Sequence, residues 1–200
     1  MQVIGGIHSS LVFKRRTRVL AAHLTALLPR GADVLDVGCG DGTLDVLMLQ
    51  ARPDISIRGI DVFVRPKTNI PVEPFDGKVI PYADKSFSII TFVDVLHHTE
   101  DPLALLAEAA RVARDGIVIK DHAREGIFAE QTLRFMDWVG NAHHGVVLPY
   151  NYWSQAQWDD ALKALDLRAE AWISRVGLYP WPASQLFDRQ LHFVAKLVRR

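Results

Sequence analysis

The segment with the sharpest chemical meaning is Asp36-Val37-Gly38-Cys39-Gly40-Asp41-Gly42-Thr43. Glycines at alternate positions let a chain turn tightly and let a ligand touch the backbone with no Cβ in the way. The segment lies between a short apolar run, Val34–Val37, and a helical pattern carrying Leu44, Leu47, Met48 and Ala51. It therefore reads as strand, loop, helix, and in a doubly wound sheet ligands bind at such carboxyl ends of strands. A phosphate loop needs a lysine after its last glycine, and this one has none. A dinucleotide fingerprint is spaced G-x-G-x-x-G, whereas this loop is G-x-G-x-G. Asp36, Asp41 and Asp45 surround the turn with no cation beside them. That is a poor setting for a pyrophosphate, despite the helix N-terminus, and a good one for a cation.

S-adenosylmethionine (SAM), with a sulfonium and an ammonium against one carboxylate, has the charge this loop asks for. Asp61 ends the second predicted strand, where an acid accepts hydrogen bonds from the hydroxyls of an adenosine ribose. Val62 follows, placed to pack on an adenine face. A nicotinamide cofactor also favours an acid at this point, so Asp61 alone leaves both ligands open.

Two polar pairs interrupt apolar segments further on: His97-His98, after the fourth strand, and Asp121-His122, after the fifth. Methyl transfer needs an aligned acceptor and exclusion of water. A hydroxyl or ammonium acceptor also needs a base, and histidine is the natural one near neutral pH. His97, His98, Asp121 and His122 are the candidates. No metal is expected, because the histidines, His143 and His144 included, lack H-E-x-x-H-type spacing. The stretch about 123–153 mixes aromatics with polar groups, as a small-molecule pocket or a lid over one does. Within it, Ile127, Phe128, Leu133, Phe135 and Met136 predict a helix packed into the core.

These residues need a scaffold. Val19, Leu20, His23, Leu24, Leu27 and Leu28 mark a first helix, ended by Pro29-Arg30-Gly31. Strands are predicted at Val34–Val37, Ile55–Ile60, Ser88–Val93 and Gly116–Lys120, with a short edge strand at Val72–Phe75 or Lys78–Ile80. Asp101-Pro102 opens a helix with proline at its first position. Such strand–helix alternation implies right-handed crossovers and a mainly parallel, doubly wound α/β sheet. A helix through Trp158, Ala161, Leu162 and Leu165 precedes strands at Arg168–Ser174 and Leu191–Val198. No long helix separates those two, so they form an antiparallel hairpin.

The 200 residues fit one domain, 1–200, with a full core. Lysine plus arginine and aspartate plus glutamate number 23 each, so no global field draws in nucleic acid. The compact basic run Lys14–Arg18 reads as a solvated helix face, with a clamp on a carboxylate or phosphate as the alternative. One cysteine, Cys39, excludes an internal disulfide and a thiolate-rich zinc site. With no signal peptide and no long apolar span, a cytoplasmic location is the expectation. An aromatic group near Trp172, Tyr179 and Trp181 predicts either a dimer contact or a packed loop, leaving monomer and homodimer open.

Together these residues resemble the class I SAM-dependent methyltransferases, in particular the small bacterial group called type 11, from about Leu20 to Leu167. Val34–Thr43 resembles the family's first motif, which implies that Asp36, Gly38, Cys39, Gly40 and Gly42 line the cofactor. Asp61 is similar to its ribose acid. Asp76-Gly77 with Ile80-Pro81-Tyr82 resembles the third motif, whose acid meets the adenine amino group. Ser86-Phe87-Ser88-Ile89-Ile90 resembles the lead-in to the fourth strand, and Phe92 to His98 the segment beside the methionine end, which places Asp94 there. Ser88, where the family has aspartate, and Arg114-Asp115-Gly116, where it has Pro-Gly-Gly, depart from the pattern. The resemblance implies a seven-stranded Rossmann-like sheet with an antiparallel last strand. It implies methyl transfer from SAM to a small-molecule or lipid-like acceptor, at oxygen before nitrogen or carbon. The alternatives are an NAD(P)-dependent oxidoreductase on a similar fold and a SAM-binding regulator or scaffold that does no chemistry.

Overall fold

The computed structural model describes residues 2–141 and 149–200, with side chains from residue 14 onward except at 140 and 141. The chain runs α1 (Gln2–Leu27), β1 (Asp33–Val37), α2 (Thr43–Ala51), β2 (Ser56–Asp61), β3 (Val72–Pro74) and β4 (Phe87–Val93). After a 3₁₀ turn (Leu96–His98) come α3 (Pro102–Val112), β5 (Ala113–His122), α4 (Ala129–Asn141) and α5 (Gln155–Ala164). It closes with β6 (Leu167–Ile173), the short α6 (Ser184–Phe187) and β7 (His192–Arg199). The seven strands form one sheet in the order β3-β2-β1-β4-β5-β7-β6. β3 to β5 are parallel, and β7 runs antiparallel to both β5 and β6. This is the predicted doubly wound sheet with its antiparallel close.

Strand alternation builds a core on each face of the sheet. Leu35, Ile90, Phe92, Ile117, Ile119 and Phe193 turn toward α3 and α5, where Leu105, Leu106, Ala109, Trp158 and Leu162 meet them. Val34, Ile57, Ile89, Val118 and Val194 turn the other way, under Leu20 and Leu24 of α1, Leu28 just after it and Met48 of α2. The central strands are buried on both faces, so they read as continuous apolar runs. Asp101 caps α3 by accepting from the Ala104 amide at 3.0 Å, with Pro102 in the first turn. α5 opens with a capping box between Ser154 and Gln157.

Several expectations are corrected. β5 is longer than Gly116–Lys120 and holds both Arg114-Asp115-Gly116 and Asp121-His122 within the strand. Its lead-in shifts register between Phe87 and Ile89, so Ser88 sits at an irregularity. There Ser88 Oγ accepts from Arg114 at 2.7 Å, which joins the two departures from the family pattern. α4 is not a core helix. Only Ala129 and Leu133 of its apolar side chains are buried, against Tyr152 and Leu191, while Ile127, Phe128, Phe135, Trp138 and Val139 are exposed. Apolar spacing finds an amphipathic helix but does not say whether its apolar stripe meets protein. Trp172 stacks on Phe193 and Tyr179 packs against the α1 side of the core, whereas Trp181 is exposed. Among the described residues no helix is long and apolar enough to cross a membrane.

The glycine loop is locked by close packing between β2 and β1. A Cβ added at Gly59 would lie 2.2 Å from Cys39 Sγ and 2.9 Å from Cys39 Cβ. Gly59→Ala should therefore cost about 1–3 kcal/mol through overpacking. Urea unfolding checks this, and an unchanged midpoint would show that the loop yields freely.

Candidate functional site

The glycine loop is built from unusual backbone. Gly38, Gly40 and Gly42 have φ of 76°, 61° and 75°, the left-handed region that side chains disfavour. Space imposes a second demand, because a Cβ on Gly38 would lie 2.6 Å from Val95. The Gly38 amide donates to the Ile60 carbonyl at 2.7 Å. Asp61 accepts from the Gly40 amide on one carboxylate oxygen and from the Phe63 amide on the other, each at 2.8 Å. Each oxygen keeps a lone pair for a ligand hydroxyl.

A cleft of about 550 Å³ runs beside this loop, from Gly38 past Val62, Asp76 and Gly77 to Val95 and His98. Val62 is exposed along it. Asp76 folds back on its own turn, accepting from the Lys78 and Val79 amides at 2.8 Å, and these bonds hold its carboxyl below the usual range.

Asp36 and Asp45 lie beneath the loop, both buried. Thr91 donates to Asp36 at 2.6 Å. Burial, then the neighbouring Asp45, raises the Asp36 carboxyl well above its ordinary range. Burial likewise lifts Asp45 to about 6. Two of the three acids around the turn therefore hold a proton between them more tightly than free carboxylates do. Asp41 is the exposed one, accepting from the Thr43 amide at 2.9 Å. Cys39 reaches the site through its backbone alone. Its thiol packs on Gly59, and burial with Asp36 pushes its pKa up.

A buried cluster of charged and aromatic groups stands at the carboxyl ends of β4 and β5. Asp121 accepts from His97 Nδ1 at 2.6 Å and from the His122 amide at 2.7 Å. Its other oxygen accepts from the Leu96 amide at 3.1 Å, so one carboxylate fixes the whole 3₁₀ turn. Burial would raise the Asp121 pKa, but His97 beside it holds it well below the carboxylate range. His97 is the counterpart: burial pulls its pKa down, yet Asp121 and Asp137 lift it to about 10. Asp137, from α4, has a carboxylate oxygen 3.5 Å from His97 Nε2 and accepts from the Tyr152 hydroxyl.

The other three histidines of the cluster are pushed toward the neutral form. Burial, Lys120 and His97 push His122 down to about 4. Burial and His97 lower His98, and burial with Lys120 lowers His192. Asp94 adopts φ 58°, a strained value for a non-glycine residue, with its amide donating to the Lys120 carbonyl at 2.9 Å. Its carboxylate pairs with the fully buried Lys120, and Arg16 Nη2 lies 3.9 Å away. Burial opposes ionisation of Asp94, but Lys120, His122 and Arg16 overcome it.

The predicted residues thus divide into three groups. Gly38, Val62, Asp76, Gly77 and His98 line the cleft, with Gly40 and Asp61 joined to its edge. Asp36, Cys39 and Gly42 support the loop from below, Gly42 against Ile70. Asp94, His97, Asp121 and His122 belong to the buried cluster. His143 and His144 fall outside the described residues. Sequence reading missed Lys120, Asp137, Tyr152 and His192 as members of this cluster, and Arg16, which turns inward while Lys14, Arg15 and Arg18 are exposed. The available signal was a charged residue, Lys120, ending an apolar strand.

A family model described as a methyltransferase domain matches residues 12–171. The chain is 29% identical over 182 residues to the demethylmenaquinone methyltransferase of Renibacterium salmoninarum, covering 82% of this chain and 73% of that protein. It is 29% identical over 122 residues to the 27-O-demethylrifamycin SV methyltransferase of Amycolatopsis mediterranei, covering 54% of this chain and 44% of that one. The chain thus spans less than half the length of some curated relatives that it matches. Among solved structures, a chain of the complex between the Haloferax volcanii Trm112 methyltransferase activator and the putative methyltransferase superposes with a TM-score of 0.69 at 17% identity. That match covers 97% of this chain and 93% of the other, and shows a shared fold.

The acid pair under the loop makes stability depend on pH. Its native pKa values lie above the unfolded one, so the native state binds more protons and loses stability as pH rises from about 4 to beyond 6. Asp45→Asn removes one acid of the pair. The ligand-free variant should be more stable than the natural protein at pH 7.5, by up to about 3 kcal/mol, with the gap closing near pH 4. Thermal melts across that range check it, and a gap independent of pH would show that the pair holds no extra proton.

Proposed function

The chain belongs to the methyltransferase-domain family, and on that footing we propose that it binds SAM across the glycine loop and Asp61 and transfers the methyl group to a small or lipid-like acceptor. The reading rests on the cleft that joins the two halves of the site. One end meets Val62, Asp76 and Gly77, suited to an adenine and its ribose, and the other reaches Val95 and His98 at the edge of the histidine cluster. A ligand with a nucleoside at one end and a reactive sulfonium at the other matches that span. Asp61 presents two oxygens, each already oriented by a backbone amide, to the ribose hydroxyls.

The acceptor sits on the side of His97, His98, Asp121 and His122. His98, which lines the cleft, receives its proton, His97, Asp121 and His122 position His98 from behind, and Pro149 to Trp153 closes over them. That closure is pinned where Asn151 donates from its backbone to His97 O at 3.1 Å and from its side chain to Thr99 O at 2.6 Å. Oxygen is the favoured acceptor atom. A hydroxyl has a proton that such a cluster can take. The rifamycin relative is named for transfer at an oxygen.

Calorimetry tests the cofactor. SAM and S-adenosylhomocysteine should bind with micromolar affinity, and Asp61→Ala should weaken both at least 10-fold, with circular dichroism confirming an intact fold. NAD binding without adenosyl binding would overturn the reading in favour of an oxidoreductase. Binding of SAM without methyl transfer to any hydroxylated acceptor would favour a scaffold.

A further inference from the structure

Three buried ring nitrogens in the histidine cluster, His97 Nε2, His98 Nδ1 and His192 Nε2, have no hydrogen-bond partner among the described residues. His97 is 2% exposed, and its Nε2 meets the Asp137 carboxylate without forming a hydrogen bond to it. Ligand atoms of His97, His98 and Asp137 all lie within 4.8 Å of one another. His97 Nε2 and Asp137 Oδ2 are 3.5 Å apart. Two ligands bound at about 2.1 Å to one tetrahedral ion are about 3.4 Å apart.

We propose that His97, His98 and Asp137 form a site for a divalent transition ion of the zinc type, with two imidazoles, one carboxylate and an open fourth position. The surrounding groups fit that role. Asp121 accepts from His97 Nδ1 at 2.6 Å, which fixes the ring and leaves Nε2 as the metal-facing atom. Metal-bound imidazoles are commonly oriented by a carboxylate in this way. The Tyr152 hydroxyl donates to Asp137 and stacks its ring against His97, with centroids 5.4 Å apart. Nitrogen and carboxylate ligands in a three-to-one-open arrangement suit zinc better than magnesium, which prefers oxygen.

A second possible grouping, Asp94 with His97 and His122, is less suited, because the Lys120 ammonium already occupies Asp94. Spacing gave no hint of the first site. Its ligands come from a 3₁₀ turn and from a helix about forty residues later. His98 also lines the cleft, so the open position lies within reach of an acceptor bound there. An ion there would lower the pKa of a bound hydroxyl. The binding itself is independent of whether SAM is the cofactor.

Cobalt(II) titration of the tag-free, chelator-stripped protein tests the site by visible absorption. The expected result is one equivalent bound, with the intense bands of a tetrahedral centre, displaced by zinc. His98→Gln and Asp137→Asn should abolish those bands. His98 is half-buried, so His98→Gln should keep the fold, and circular dichroism checks both variants. Asp121→Asn should weaken the affinity about 10–100-fold, as loss of an orienting carboxylate does. No uptake, the weak spectrum of an octahedral ion, or tetrahedral bands that survive both ligand substitutions would overturn the proposal. SAM calorimetry on the same samples separates this result from the cofactor reading, since either can fail alone.

Discussion

The interaction on which the site depends is the buried pairing of Asp121 with His97. A carboxylate and an imidazolium removed from water are expensive separately and tolerable only when paired and fully hydrogen-bonded. Asp121 meets that demand with three donors, His97 Nδ1 and the amides of Leu96 and His122. Two of these donors belong to the 3₁₀ turn after β4 and the third to β5 itself. The ion pair therefore joins the ends of two adjacent strands. The same demand propagates outward. His97 carries its charge against Asp137 as well as Asp121, and Asp137 draws in Tyr152. Tyr152 brings the segment before α5 back over the turn, where Asn151 fastens it. Lys120 makes a parallel arrangement with Asp94 and Arg16, so α1 is drawn to the same end of the sheet.

The loop on the cofactor side is held by geometry more than by charge. Gly38 is required because Val95, at the start of the 3₁₀ turn, comes within reach of a Cβ. Gly59 is required because Cys39 lies over it. The histidine turn and the glycine loop thus meet in close contact through Val95. The acids below the loop do not act as a simple negative well. Asp36 and Asp45 are shielded and hold a proton more tightly than free acids, which leaves Asp41 and Asp61 to present charge or hydrogen-bond acceptors at the surface.

Much of this was legible from residue order. Val34–Val37, Ser88–Val93 and the Asp101-Pro102 helix start fall where β-branched runs and a proline cap predict them. The antiparallel close followed from the absence of a long helix between the last two strands. The glycine spacing predicted the left-handed turn between β1 and α2, because backbone constraints are local and leave a sequence signature. The cluster was only partly legible. Asp121 and His122 stood out as polar residues in an apolar run, yet Lys120, Asp137, Tyr152 and His192 come from β5, α4, the segment before α5 and β7. No periodicity links residues that meet only through sheet order. The formal charge of Asp36 and Asp45 misled for a related reason: burial, which sets their protonation, is a tertiary property.

The exposed face of α4 follows from the same logic. Its buried side is committed to Leu133 and to Asp137, which must reach His97. A helix so oriented cannot also turn Phe135, Trp138 and Val139 into the core, because those residues lie on the opposite side of the same turns. Placing one carboxylate next to a buried histidine thus costs the burial of an aromatic stripe. Exposed apolar groups of that size lose roughly 1.5–3 kcal/mol each relative to full burial. The opposing term is of the same order: breaking a buried ion pair such as that of His97 with Asp137 costs about 3–5 kcal/mol. With Leu133 and Asp137 facing the site, the aromatic stripe is left outside, and this is why a pattern that reads as core does not become core.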